Sequence, residues 1–242
     1  MIDPVAFQIS NLAIRWYGII MAISFIIGIY LSIYLAKQKN ISKETIIDYF
    51  IYLIPASIIG ARLGAVILNY HQYSNPLEIF AVWHGGMAIH GGIIGAVAIT
   101  IYFCKKREIH FYDMADIVVI PLAFGLGLGR IGNFINQEFY GRPTDLPWGV
   151  YFNNVPEKRH PSQIYESIKN FIIFFITLNL YSVKKLKRGT IFWFFILLYS
   201  ILRFSVEFLK DMPTYLNLTY GQIISIPLII ISIVMLKKIS NK

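Results

Sequence analysis

Two arginines stand out for where they lie. Arg130 in "GLGLGRIGNFINQEFYG" and Arg203 in "LLYSILRFSVEFLK" each interrupt a long run of apolar residues. In water-poor surroundings a guanidinium binds a phosphate through two parallel N–H donors, and more strongly than it does in water. The same stretches and others along the chain supply groups able to hydrogen-bond an anion or move a proton: Tyr17, Arg62, His90, Asn133, Glu138, His160, Glu166, Tyr199 and Glu207. Tyr199, Arg203 and Glu207 recur at i, i+4 and i+8, so a helix would carry all three on one face. Such a set suits capture of an anionic headgroup beside a proton-transfer group. Plainer readings stand beside these. Tyr17 and Tyr199 fit aromatics at a membrane interface, and His90 alone fits a satisfied polar residue. Arg62, in "IIGARLG", fits either a packing partner for a carboxylate or a substrate contact. The arginine pair resists a purely structural reading, because the apolar runs hold no surplus of acids to neutralise it.

The elements that must position these residues follow from composition. Of the 242 residues, 56% are hydrophobic and only 14% charged, far below the roughly 25% charged content of ordinary soluble domains. Apolar runs near the ~20 residues a helix needs to cross a bilayer recur along the chain. Seven are expected: Ala13–Ala36, Ile46–Asn69, Met87–Cys104, Met114–Phe134, Ile164–Ser182, Gly189–Leu209 and Gly221–Leu236. They are continuous rather than alternating, which argues for an all-α integral membrane protein over a barrel. The first run follows Asp3 with no basic segment before it and no small-residue cleavage site after it, so it is expected to stay in the membrane. Residues 1–242 read as a single multi-pass domain.

The formal net charge of +9 reports orientation. Lys37, Lys39 and Lys43 follow the first run, Lys105, Lys106 and Arg107 the third, Lys184, Lys185, Lys187 and Arg188 the fifth, and Lys237, Lys238 and Lys242 the last. With every second connection basic, the N-terminus is expected outside and the C-terminus in the cytoplasm. The excess serves anionic lipid headgroups rather than nucleic acid. Topology then converts position into depth: Tyr17, His90, Arg130, Glu166 and Arg203 all fall in the outer half. Ionisable groups at such depth are a functional hypothesis by default. The connection from about residue 135 to 163, rich in prolines and aromatics, reads as an ordered outer cap.

The single cysteine, Cys104, excludes a disulfide framework, and His84 and His90 lack the partners of a metal site, so no metal or cofactor is expected. Gly127, Gly129 and Gly132 spell G-x-G-x-x-G, but a dinucleotide loop needs a strand before it and a βαβ unit around it, and here the motif lies within an apolar helix. Gly60/Gly64, Gly91/Gly95 and Gly125/Gly129 instead have the G-x-x-x-G spacing at which membrane helices approach closely.

Taken together, "IRWYG", "GARLG", "GGMAIHGG", "GRIGNFINQEFYGRPTD", "HPSQIYE" and "RFSVEFLK" occur in the order and at the positions that resemble the bacterial prolipoprotein diacylglyceryl transferases. The resemblance covers the first six helices. It implies a bacterial plasma (inner) membrane enzyme, with its active site toward the outer leaflet. Such an enzyme moves the diacylglyceryl group of phosphatidylglycerol onto the lipobox cysteine thiol of a preprolipoprotein, the first step of lipoprotein maturation. It also implies functional roles for Tyr17, His90, Arg130, Asn133, Glu138, Tyr199 and Arg203, and supporting roles for His160, Glu166 and Glu207. One departure is Lys210, where arginine is common in the family; an auxiliary phosphate contact is what that change puts in question.

The chemistry so implied needs a base for a thiol of pKa ~8.5 and stabilisation of a leaving phosphate. His90 is the candidate base, Arg130 and Arg203 the candidate phosphate clamp, and Asn133, Tyr17 and Tyr199 candidate hydrogen-bond partners of the headgroup, with Glu138 orienting Arg130 or the polar head. A transporter of anions or lipid is the rival from another class. Against it, no internal repeat is evident and the polar groups lie off the bilayer midplane.

Overall fold

The structure is a computed structural model that describes the chain except residues 1, 2, 11, 73–77, 80, 82–84, 154, 184, 185 and 242. His84, Lys184, Lys185 and Lys242 therefore lie outside the described residues.

Among the described residues seven α-helices follow the order of the apolar runs: α1 (Trp16–Ala36), α2 (Lys43–Leu68), α3 (Ile89–Lys106), α4 (Phe111–Ile135), α5 (Ser162–Tyr181), α6 (Thr190–Glu207) and α7 (Tyr220–Ser240). Five of them, α1, α2, α4, α6 and α7, are long and apolar enough to cross a membrane. The other two carry charge: α3 ends on Lys105 and Lys106, and α5 holds Glu166 and Lys169.

Between and before the helices lie three two-stranded antiparallel hairpins that the apolar pattern did not predict. They pair β1 (Val5–Ile9) with β2 (Leu12–Arg15), β3 (Val150–Tyr151) with β4 (Lys158–Arg159), and β5 (Thr214–Tyr215) with β6 (Leu218–Thr219). The first hairpin corrects the expected start of the first helix. Leu12–Arg15 pairs with the preceding strand instead of opening a helix at Ala13, so α1 begins at Trp16 and Arg15 closes a strand. At its other end α2 starts three residues before the apolar run. Ser42 caps it, its hydroxyl accepting from the Thr45 N–H at 3.2 Å, and polar Lys43 to Thr45 form the first turn.

The chain divides into two compact units, residues 32–114 and residues 1–31 with 115–242. In the first, α2 and α3 pack through facing glycines. A Cβ on Gly60 would come within 3.1 Å of Gly95 Cα, and one on Gly64 within 2.9 Å of Gly91 Cα. The two G-x-x-x-G pairs are thus one close helix crossing. Arg62 on α2 is buried and donates to the carbonyls of Ile79 at 3.0 Å and Gly86 at 3.1 Å, and to those of Glu78 and Gly85.

In the second unit, Gly125, Gly129 and Gly132 of α4 face Ser24, Met21 and Tyr17 of α1 in turn. Numbers rise on one helix as they fall on the other, so the pair is antiparallel. Gly127 faces the other way, onto the Phe171 ring of α5, and its carbonyl accepts from the Ser167 hydroxyl at 2.9 Å. One glycine-rich stretch therefore seats α4 between two helices. The buried Asp116 of α4 holds the start of α6, accepting from the Gly189 N–H at 2.7 Å and the Phe192 N–H at 2.8 Å. Gly189 takes a φ of 84° there, a conformation glycine adopts without strain.

Backbone hydrogen bonds hold the ends of the connection between α4 and α5 together. The Gly141 N–H donates to His160 O at 2.8 Å, the His160 N–H to Arg142 O at 3.0 Å, and the Arg142 N–H to Leu209 O at 2.9 Å, which ties the connection to the end of α6. Arg142 also donates through Nε to Lys210 O at 2.9 Å.

Candidate active site

Arg130 of α4, Glu166 and Lys169 of α5, Arg203 and Glu207 of α6 and Lys210 just after it meet in one linked set. At its centre is Glu166, whose side chain is 1% exposed on the second turn of α5. Three cations from three parts of the chain reach it: Lys169 Nζ lies 3.0 Å from Oε2, Lys210 Nζ 2.5 Å from Oε1, and Arg130 Nε 3.5 Å from Oε2. Lys210 also pairs with Glu207 Oε1 at 3.1 Å, and Glu207 holds Arg203 through Nε at 3.6 Å. The second oxygen of Glu207 accepts from the Thr219 hydroxyl at 3.0 Å, which fixes the carboxylate against the start of α7. Gly221 permits this, since a Cβ there would collide with the same carboxylate.

Charge and exposure divide this set in two. Glu166, Lys169, Glu207 and Lys210 are buried and satisfy one another. Arg130 and Arg203, with side chains 24% and 32% exposed, sit at its open edge. Each is held on the side of Nε. Arg203 also donates from a terminal nitrogen to the Tyr199 hydroxyl at 3.1 Å, while Arg130 makes no closer contact than its 3.5 Å pair among the described residues. Four cations face two carboxylates, so two positive charges remain uncompensated within the set. A buried pair needs good geometry and extra hydrogen bonds to offset desolvation, which Lys210 and Thr219 give Glu207 and which Lys169 gives Oε2 of Glu166. The exposed half retains donors for an anion from outside.

Tyr199 belongs to the same arrangement. Its ring lies over Lys169, with Nζ 4.3 Å from the centroid, and its hydroxyl accepts from Arg203 and keeps its own proton to donate. Above the arginines, α4 ends in a turn with Gln137 and Phe139 at φ of 59° and 61°. This backbone, unusual for residues with side chains, folds Glu138 back on the helix, where its Oε1 accepts from Asn133 Nδ2 at 2.7 Å. Gln163 of α5 donates to Glu138 O at 2.7 Å. Tyr17 lies against Gly132, the residue just before Asn133 on α4, where a Cβ would come within 2.7 Å of its ring. His160 sits on the connection, hydrogen-bonded through Nδ1 to the Tyr165 hydroxyl at 3.1 Å; that oxygen also accepts from Trp148 Nε1 at 2.9 Å.

Of the residues singled out in the sequence, Arg130 pairs with Glu166 and Arg203 with Tyr199 and Glu207, the two groups being joined through Lys169 and Lys210, and Asn133 and Glu138 form a hydrogen-bonded pair at the end of α4. His90 and Arg62 belong to the other unit. His90 is exposed in the first turn of α3, and Arg62 donates its guanidinium to the backbone carbonyls of Glu78, Ile79, Gly85 and Gly86. Sequence reasoning passed over Lys169 and treated Lys210 as an auxiliary group. Both are buried at the centre. The spacing offered a signal, each lying three residues after a glutamate, but one that a solvated surface pair would give equally.

A family model described as prolipoprotein diacylglyceryl transferase matches residues 4–237. Among curated relatives, the phosphatidylglycerol–prolipoprotein diacylglyceryl transferase of Finegoldia magna is 41% identical over 96% of this chain and 94% of its own. The enzyme of that name from Aeromonas hydrophila subsp. hydrophila is 40% identical over 97% of this chain and 89% of its own, and that from Geobacter sulfurreducens 36% identical over 100% and 96%. With a full-length family match and such relatives, the chain belongs to the prolipoprotein diacylglyceryl transferase family.

Proposed function

We propose that this multi-pass membrane protein transfers the diacylglyceryl group of phosphatidylglycerol to the lipobox cysteine of a preprolipoprotein, with Arg130 and Arg203 gripping the lipid phosphate. The observation that carries the assignment of the clamp is the pair of guanidinium groups at the open edge of a buried ionic set, each anchored on its Nε side and each with donors left over. The cysteine sulfur attacks the glyceryl methylene carbon, a C–S bond forms, and the C–O bond to phosphate breaks with its electron pair going to oxygen. The products are a thioether and glycerol phosphate, so the nucleophile comes from the substrate. Charge gathers on the phosphate as the bond breaks, and fixed guanidinium groups stabilise it without reorganising. The Tyr199 O–H, oriented by Arg203, donates to the same phosphate. Asn133 and Tyr17 bind the glycerol end, and Glu138 holds Asn133 in place.

His90 takes the thiol proton. That assignment comes from the family motif and from imidazole chemistry, which suits proton transfer near neutral pH. His160, Glu166 and Glu207 support the site, as does Arg62 by holding the carbonyls of Glu78, Ile79, Gly85 and Gly86.

Residues 1–242 act as one membrane domain of seven spans. Its N-terminus is outside, its C-terminus is in the cytoplasm, and residues about 135–163 cap the outer end. This orientation in the bacterial plasma membrane opens the site toward the outer leaflet. It rests on the alternation of basic connections.

Purified protein incubated with phosphatidylglycerol labelled in its acyl chains and a lipobox peptide tests the reading directly. Label on the peptide cysteine together with release of glycerol phosphate is expected. Lipid movement without peptide modification would overturn it in favour of transport.

A further inference from the structure

Glu166 is shared among three cations, and the shares are unequal. Lys169 and Lys210 take it at 3.0 Å and 2.5 Å, whereas Arg130 reaches it only at 3.5 Å and only through Nε. Charge-assisted N–H···O bonds close to ~2.7–2.9 Å when nothing competes, and a guanidinium facing a free carboxylate turns both donors of its fork to it. Arg130 does neither. The group that stands in its way at Oε2 is Lys169, whose side chain is 3% exposed and is held from the other side by the Tyr199 ring at 4.3 Å. An ammonium buried this deeply is kept where its charge is answered, and here one carboxylate and one aromatic face answer it together.

We infer that Lys169 is a positioning residue: by holding Glu166 Oε2 it keeps Arg130 from closing on that carboxylate and leaves the guanidinium fork free for the lipid phosphate. The inference rests on the phosphate-clamp reading above. Lys169 does not touch substrate. It also seats the Tyr199 ring, so two of the groups assigned to the phosphate, the half-buried Arg130 and Tyr199, are set by one buried cation. Removing the charge without the bulk, as in Lys169→Met, releases Oε2. Arg130 then pairs with Glu166 bidentately and must be pulled away before it can bind lipid.

The test measures transfer by purified full-length protein in detergent, with the KM for phosphatidylglycerol and the KM for a lipobox peptide determined separately. For K169M, the KM for phosphatidylglycerol is expected to rise roughly tenfold or more, the loss of about one charge-assisted hydrogen bond to the phosphate. The peptide KM is expected to stay within about twofold, since no such bond to the peptide is lost. In E166Q/K169M the neutral amide cannot draw the guanidinium in, so the phosphatidylglycerol KM is expected to return most of the way. A merely structural role would move both KM values and the melting temperature together, and the double variant would not recover. An unchanged phosphatidylglycerol KM in folded K169M, or no recovery in the double variant, would overturn the inference. If K169M fails to fold, K169Q replaces it, because its amide still donates to Oε2 but without charge; a smaller rise in the same KM alone is then expected, and no rise overturns the inference. Absence of transfer by the unaltered protein would instead overturn the clamp reading itself, so the two failures are separable.

Discussion

At the scale of single residues the site works by geometry that a positive charge alone cannot reproduce. Arg130→Lys keeps the charge but loses the fork, and transfer is expected to fall about tenfold to a hundredfold, the range for one lost charge-assisted hydrogen bond, with kcat/KM for phosphatidylglycerol as the readout. His90→Gln is expected to lower the rate by roughly a hundredfold or more near neutral pH if the imidazole takes the thiol proton. A thiol ionises unaided as pH rises through ~8.5, so the gap between variant and unaltered protein should narrow toward alkaline pH. A gap of constant size from neutral to alkaline pH would remove His90 as the base. The arginines were legible in the sequence because a guanidinium inside an apolar run has few structural uses. Lys169 was not, because its i+3 spacing from Glu166 reads equally as an ordinary solvated pair on a helix surface. Only the packing of α5 against α6 shows the ammonium buried under Tyr199.

At the scale of elements, glycines set how near the helices come, and buried caps set where they begin. Gly132→Val is expected to push Tyr17 off α4, because a Cβ there would come within 2.7 Å of the ring and the branched side chain would add more. Overpacking of this kind costs about 1–3 kcal/mol and should show as a lower melting temperature together with reduced transfer. Asp116→Ala removes the carboxylate that accepts from the Gly189 and Phe192 amides at the start of α6. It is expected to cost about 1–2 kcal/mol of stability, the usual range for a lost helix cap, and unfolding monitored by helical circular dichroism in detergent measures it. The seven helices and their close-packing glycines could be read from hydropathy and spacing, although not which helix each glycine meets. Gly127 faces α5 while its neighbours in the same stretch face α1, a distinction that spacing alone does not make. The hairpins escaped notice because strands of two to five residues hold too few alternations to register. The first of them shortened the expected α1 at Leu12–Arg15, a segment whose apolar residues read as helix.

At the scale of the whole molecule, charge distribution and chemistry make one joint demand. The basic connections after the first, third and fifth runs predict a cytoplasmic C-terminus, and that orientation would carry the open edge of the ionic set, with the connection over residues 136–161, to the outside. The two can be checked against each other in intact cells by labelling with a membrane-impermeant thiol reagent. Cys104 is the single cysteine and is buried, so a Cys104→Ser background supplies a silent reference. Asp145→Cys, on the connection, is expected to label in intact cells, whereas Lys238→Cys, in the last turn of α7, is expected to label only after permeabilisation. Labelling of Lys238→Cys in intact cells, with Asp145→Cys protected, would invert the topology. It would place the arginines on the leaflet where the lysine-rich connections were assigned, and the reading of basic residues as cytoplasmic anchors would fail together with the outward-facing site.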